Sequence, residues 1–220
     1  MKKLKLSLLL LSLGCPYFLT AQDDATGYLE FNDRNNVVHG VYLGLTMGYG
    51  EIDKENAYMA GLKIAYVANQ QFEVGFAANF LYSEQDVFNN ALSRSEDLIG
   101  VYGGLHLEPI LFSKSRVNLS FPLLLGGGGV GYINNNFDDP DFDDELTDED
   151  VSAIFIAEPG ISMLFNVSRY LQLETGIKYR FSSKIDLPIG RLDRINGFTV
   201  GVSVKVGIFN MGRNRYKKNI

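Results

Sequence analysis

Cysteine and histidine are nearly missing from this chain of 220 residues: Cys15 is the one thiol, and His39 and His106 are the two imidazoles. No stretch supplies the ~20 consecutive apolar residues that a membrane-crossing helix needs. Positive charge is in deficit too. The formal net charge is −6, which argues against a nucleic-acid partner, because phosphate backbones are held by clustered Lys and Arg. No Gly-x-Ser-x-Gly elbow occurs. With so few histidines and no nucleophile motif, neither catalytic residues nor a cofactor are expected.

Residues 1–21 have the layout of a secretory signal. Lys2, Lys3 and Lys5 open it, Leu6–Leu13 form an apolar core, and Leu19-Thr20-Ala21 offers a small-residue cleavage site. Gly14 and Pro16 break the core too early for a spanning helix. Ser12-Leu13-Gly14-Cys15 also has the outline of a lipoprotein site, but apolar residues run on to Leu19, and Ser12 stands where such sites favour Leu. Cleavage after Ala21 removes Cys15 and three lysines, which takes the formal charge from −6 to −9 (−6 minus 3). The remaining chain forms no disulfide, which suits a fold closed by its own hydrogen bonds.

What the chain has in quantity is period-two alternation. In Arg169–Phe181 one row reads Leu171, Leu173, Thr175, Ile177, Tyr179 and Phe181, and the other Gln172, Glu174, Gly176, Lys178 and Arg180. Successive strand residues point to opposite faces, so one face meets apolar surroundings and the other carries both signs of charge. The pattern recurs in His39–Gly50, Ala57–Ala68, Gln71–Ser83, Asp97–Glu108, Arg116–Tyr132, Val151–Phe165, Arg169–Ser182 and Asn196–Phe209. Short connections (69–70, 109–115, 166–168) alternate with long polar ones (83–96, 133–150, 183–195) and the brief charged 51–56. These features predict an all-β fold, an eight-stranded up-and-down antiparallel transmembrane β-barrel spanning 39–209 in a bacterial outer membrane. Residues 22–38 read as a periplasmic lead-in and 210–220 as a basic periplasmic tail.

A soluble barrel would turn its apolar row inward. Three features favour the inside-out arrangement. The mixed row is rich in Gly and Ala, which suits a narrow interior. Its charges can pair across a lumen: Lys63, Lys178, Arg180 and Lys205 against Glu73, Glu108, Glu158 and Glu174. Aromatics of the apolar row gather at strand ends, with Tyr49, Tyr58, Tyr82, Phe155, Phe181 and Phe198 outermost and Tyr66, Phe72, Phe165 and Phe209 innermost, as girdles do.

The segments 103–112, 126–132 and Glu158-Pro159-Gly160, followed by 166–173 and Gly176-Ile177-Lys178-Tyr179-Arg180-Phe181, carry a resemblance. They resemble a family of small outer-membrane β-barrel proteins common in Bacteroidetes, related to the outer-membrane protein A and X type. The resemblance covers most of the mature chain and implies an outer-membrane location, mostly without assigned activity. The heavily acidic loop around Asp138–Asp150 departs from it.

Eight strands leave room for side chains but not for a water channel, so the eight lumen charges read as a salt-bridge plug rather than a selectivity ring. In the external loop, Asp139, Asp141, Asp143 and Asp150 have calcium-loop spacing, yet Asp144 replaces the turn glycine and strands flank it. Loose binding of divalent cations, shared with lipopolysaccharide phosphates, stands beside a solvated, self-repelling loop. Gly126–Gly129 lacks Gly-Lys-Ser/Thr and reads instead as a bend at which strand five shifts its facing. His39 and His106 fall at periplasmic strand ends, away from the long loops. Val202, Val204, Val206 and Ile208 alternate outward and Phe209 closes the strand, like a signal for barrel-assembly machinery. The expected partners are that machinery, outer-membrane lipids and lipopolysaccharide, and an unidentified protein at the external loops. A small porin-like pore or an accessory role in secretion or envelope assembly are the alternatives.

Overall fold

Every period-two segment folds as strand in the computed structural model, which describes residues 38–89, 94–113, 115–134, 151–187 and 192–211. Among these residues the strands are β1 (His39–Ile52), β2 (Glu55–Ala68), β3 (Phe72–Asn89), β4 (Arg94–Leu111), β5 (Val117–Ser120), β6 (Leu123–Asn134), β7 (Val151–Asn166), β8 (Leu171–Ser182) and β9 (Gly197–Met211). All pairings are antiparallel. β5 and β6 are two lengths of one stave, each paired with β4 on one side and β7 on the other. β1 pairs with both β2 and β9, and β3 with β4, so eight staves form a ring and no stave is left at an edge. The two-residue turn Asp53-Lys54 and the three-residue turn Asn69-Gln70-Gln71 each hold two residues at positive φ, Asp53 with Lys54 and Asn69 with Gln70, as tight turns favour.

Alternation decides which row goes where. Outward side chains are apolar and exposed, with Met47 at 71% and Phe76 at 66%, whereas Arg180, Lys205, Glu73 and Glu108 on the inner face are at 0%. The neighbouring strands β4 and β6 run close together where their glycines pair, Gly104 opposite Gly126. A Cβ on Gly104 would lie 2.2 Å from the Leu125 carbonyl oxygen, so only glycine fits there.

Several expectations are corrected. Strand five is interrupted at Phe121-Pro122, not bent at Gly126–Gly129, and its facing never shifts. Asn118, Ser120, Leu124, Val130 and Tyr132 are all buried, since even-numbered residues point inward on both lengths. Proline supplies the break because it has no N–H for the ladder. Residues 83–96 are not a free loop: β3 and β4 continue beyond the rim as a hairpin to Asn89 and from Arg94, with a register shift between Ser83 and Val87. Phe209 is not part of the outer aromatic row. It is buried and stacked on Tyr42, with ring centroids 5.6 Å apart. Ile208 is the outward residue, so its neighbour must point in. The described residues 183–187 and 192–195 also differ from a solvated loop, because Ile185 and Ile195 are buried. The signal segment, the lead-in before residue 38, the acidic loop with Asp139, Asp141, Asp143 and Asp150, and the tail beyond Met211 lie outside the described residues.

Candidate functional site

The inner face of the barrel carries its ionic cluster in the half nearest the short turns. Lys205 on β9 lies 3.0 Å from Glu73, 3.2 Å from Glu108 and 3.2 Å from Glu174. Lys63 on β2 lies 2.9 Å from Glu174 and 3.3 Å from Glu108. Tyr42 on β1 donates its hydroxyl to Glu73 Oε2, and its ring lies 5.0 Å from Lys205 Nζ. Ser120 Oγ donates to Glu108 Oε1 at 2.6 Å, and Ser162 Oγ to Glu174 Oε1 at 3.1 Å. Each of the eight staves therefore contributes a side chain to one hydrogen-bonded cluster. In a low-dielectric interior a charge is tolerated only when paired and hydrogen-bonded. A slip of any strand by one residue would turn its cluster member to the outer face.

The other three predicted charges, Glu158, Lys178 and Arg180, are placed differently. Arg180 Nε approaches Glu158 Oε1 at 4.0 Å, too long for a hydrogen bond, and Arg180 Nη2 donates to Thr199 at 3.4 Å. The Arg180 guanidinium lies 5.7 Å from the centre of the Tyr102 ring, and the Tyr102 hydroxyl donates to Glu158 at 3.2 Å. Lys178 is half-buried and forms no ion pair among the described residues. It borders two small cavities of about 20 Å³ each, room for one water. Thus five of the eight predicted charges share one cluster, Arg180 and Glu158 form a looser pair above it, and Lys178 stands apart.

Glu73, His106 and Glu108 have donor atoms within 4.8 Å of one another, a set that could hold a metal ion. The Lys63 and Lys205 ammonium groups already occupy the space against the same Glu73 and Glu108 oxygens, so the cluster binds its own cations. His106 Nε2 donates to Glu108 Oε2 at 2.9 Å. Ser120 donates to that carboxylate rather than to the imidazole, so the histidine takes no proton from a nucleophile. His39 sits at the barrel end, with Nδ1 bonded to the Tyr66 hydroxyl.

No protein-family model matches the sequence, and no curated protein does. Solved structures similar to this chain include three outer-membrane or surface proteins. One is the N-terminal β-barrel domain of Pseudomonas aeruginosa OprF, with TM-score 0.49 and 10% identity over 77% of this chain and 97% of that one. Another is Neisserial surface protein A, with TM-score 0.46 and 11% identity over 78% and 96%. A third is Ail, the attachment invasion locus protein of Yersinia pestis, with TM-score 0.43 and 14% identity over 79% and 99%.

Sequence reasoning overlooked the outer half of the lumen. There Ile52, Leu81, Leu98, Val130, Tyr132, Ile154 and Ile156 pack with Ile185 and Ile195 into a buried apolar cluster. The connection from β8 to β9 is strapped over this cluster. Ile185 N donates to Asp193 O at 2.9 Å, Asp186 N to Ser152 Oγ at 3.0 Å, and Ile195 N to Ser182 Oγ at 2.9 Å. The signal was available. In Val151–Ile156, Ile154 and Ile156 alternate with outward Phe155, so both faces of that stretch are apolar. Ile185, Leu187, Ile189, Leu192 and Ile195 likewise recur as apolar residues through the connection.

Proposed function

We propose that this protein is an integral outer-membrane β-barrel of structural or interaction type, exported by its N-terminal signal and presenting its long connections to the exterior. The observation that carries this reading is the inversion of polarity across the wall. Leu43, Met47, Phe76, Phe155 and Val202 are exposed outward, while Lys63, Glu108, Glu174 and Lys205 are sealed within. A continuous exposed apolar belt of this extent is unfavourable in water and is what hydrocarbon solvates. Aromatic side chains at the belt's outer margin, Tyr49, Tyr58, Phe181 and Phe198, suit the lipid headgroup level.

The eight lumen charges serve in this reading as a structural plug. The ionic cluster fills one half of the bore and the apolar cluster the other, an arrangement that favours a closed barrel over a solute pore. Outer-membrane lipids and lipopolysaccharide are its surroundings, barrel-assembly machinery its partner during insertion, and the acidic external loop a weak divalent-cation ligand. Neither a cofactor nor a reaction is part of the reading. Envelope fractionation combined with a gel run before and after boiling tests it. The protein is expected in the outer-membrane fraction, with unboiled protein migrating differently from boiled. A chain that fractionates with soluble protein, or shows one mobility, contradicts it.

A further inference from the structure

Closure at both ends raises the question of where the barrel gives way. Three of the chain's six prolines stand on three successive staves: Pro109 on β4, Pro122 at the β5–β6 break and Pro159 on β7. Residues opposed in a hydrogen-bonded antiparallel pair exchange two bonds, but a proline can return none. Phe121 N donates to Pro109 O at 3.1 Å, and Pro109 has no N–H to give back. Gly160 N donates to Pro122 O at 2.8 Å, and Pro122 has none either. Between β7 and β8 the register runs through Ala157↔Phe181 and resumes at Gly160↔Lys178, stepping over Glu158 and Pro159. Three adjoining seams of the wall each lose ladder bonds beside a proline. By contrast the β1–β2 ladder runs unbroken from His39↔Ala68 to Ile52↔Glu55.

A second observation lies directly behind this line. One of the 20 Å³ cavities is bordered by Pro122 together with Asn79, Glu158 and Lys178, groups that a water molecule can bridge. The ionic cluster lies toward one end of the bore and the apolar cluster toward the other.

We propose that the wall along Pro109, Pro122 and Pro159 is the breathing seam of the barrel, where staves part first and water reaches the lumen cavity from the side. A backbone carbonyl left without its ladder donor in hydrocarbon is destabilised by several kcal/mol unless it finds a partner, and water entering here supplies one. This goes beyond the closed-barrel reading, since it locates the weakest part of a wall whose ends are filled.

Amide hydrogen exchange of the folded full chain in lipid nanodiscs tests it. The amides of Phe121, Leu123 and Gly160 are expected to exchange at least tenfold faster than those of Leu43–Met47 in β1. Pro122→Val, which restores an N–H, is expected to slow Gly160 and its neighbours at least tenfold. Should that variant fail to fold, Pro159→Val makes the same test between β7 and β8. Seam amides as slow as those of β1 would overturn the proposal, and so would rates unchanged in whichever variant folds. Faster exchange at Tyr42 and Gly207, or at Leu81, than at the seam would place the entrance at an end and overturn it as well. Each of these outcomes leaves membrane location untouched, so failure here is distinct from failure of the functional reading.

Discussion

Lys205 touches three carboxylates, and Glu108 accepts from two lysines, a histidine and a serine. Removing one member therefore takes a partner from groups on several staves at once. Glu174→Ala withdraws the nearest counter-ion of Lys63 and one of three from Lys205. Lys63 then keeps only Glu108, at 3.3 Å, and the Ser162 hydroxyl loses its carboxylate acceptor; this loss of buried partners is expected to destabilise the barrel by roughly 1–3 kcal/mol. Urea unfolding in lipid or detergent reads the loss, and a variant with the parent's midpoint would show that the cluster is not what holds the staves in register. At this scale the sequence revealed which residues turn inward, because parity fixes the face. It did not reveal which of them meet. Lys178 and Lys205 are both inward on neighbouring strands and look equivalent in the chain, yet one touches three carboxylates and the other has no ion pair among the described residues. The difference comes from stagger around the closed ring, which local alternation does not encode.

Elements were legible wherever alternation was uninterrupted, and less so where it met a local device. The hairpin of β3 and β4 beyond the rim is one such device. Asp97 is buried and its carboxylate accepts the Tyr82 hydroxyl at 2.5 Å and the backbone N–H groups of Gln85 and Asp86 at 3.1 Å each. It thereby caps the irregular stretch in which Asp86 adopts φ 46° and the register shifts. A polar stretch of this kind reads as loop because its order comes from one carboxylate rather than from a hydrophobic row. Asp97→Ala removes a buried acceptor shared by two amides and a hydroxyl and is expected to cost about 1–3 kcal/mol. The cost should be concentrated in the hairpin: amides over 84–89 and 94–96 should exchange faster while those of β1 and β2 keep their rates. A uniform change across all strands, or none, would contradict the assignment. The interruption of strand five was misplaced for a related reason. Glycine runs suggest bending, but β6 keeps its parity through Gly126–Gly129, whereas Pro122, without an N–H, removes a donor from the ladder while the register carries on across it.

For the whole molecule, two fillings of opposite chemistry occupy one bore. The ionic cluster ties all eight staves together, and the apolar cluster with its strap through Ile185 and Ile195 fills the other half. The ring itself followed from eight alternating segments and the even alternation of short and long connections. The apolar filling did not, because it requires recognising that both rows turn apolar over the outer stretch of several strands. A barrel filled in this way is expected to carry no steady current. Planar-bilayer recordings should show no channel events for the parent, and a reproducible open level would contradict the plug.

Which side chains touch lipid decides which way the barrel wall is turned. Nuclear Overhauser contacts between methyl groups and lipid acyl chains, recorded in nanodiscs, test that most directly. Methyls of Leu43, Met47 and Val202 are predicted to show strong acyl-chain contacts, while those of Leu81, Leu98 and Ile156 show none. Acyl contacts at the second group with silence at the first would mean the barrel is turned the other way.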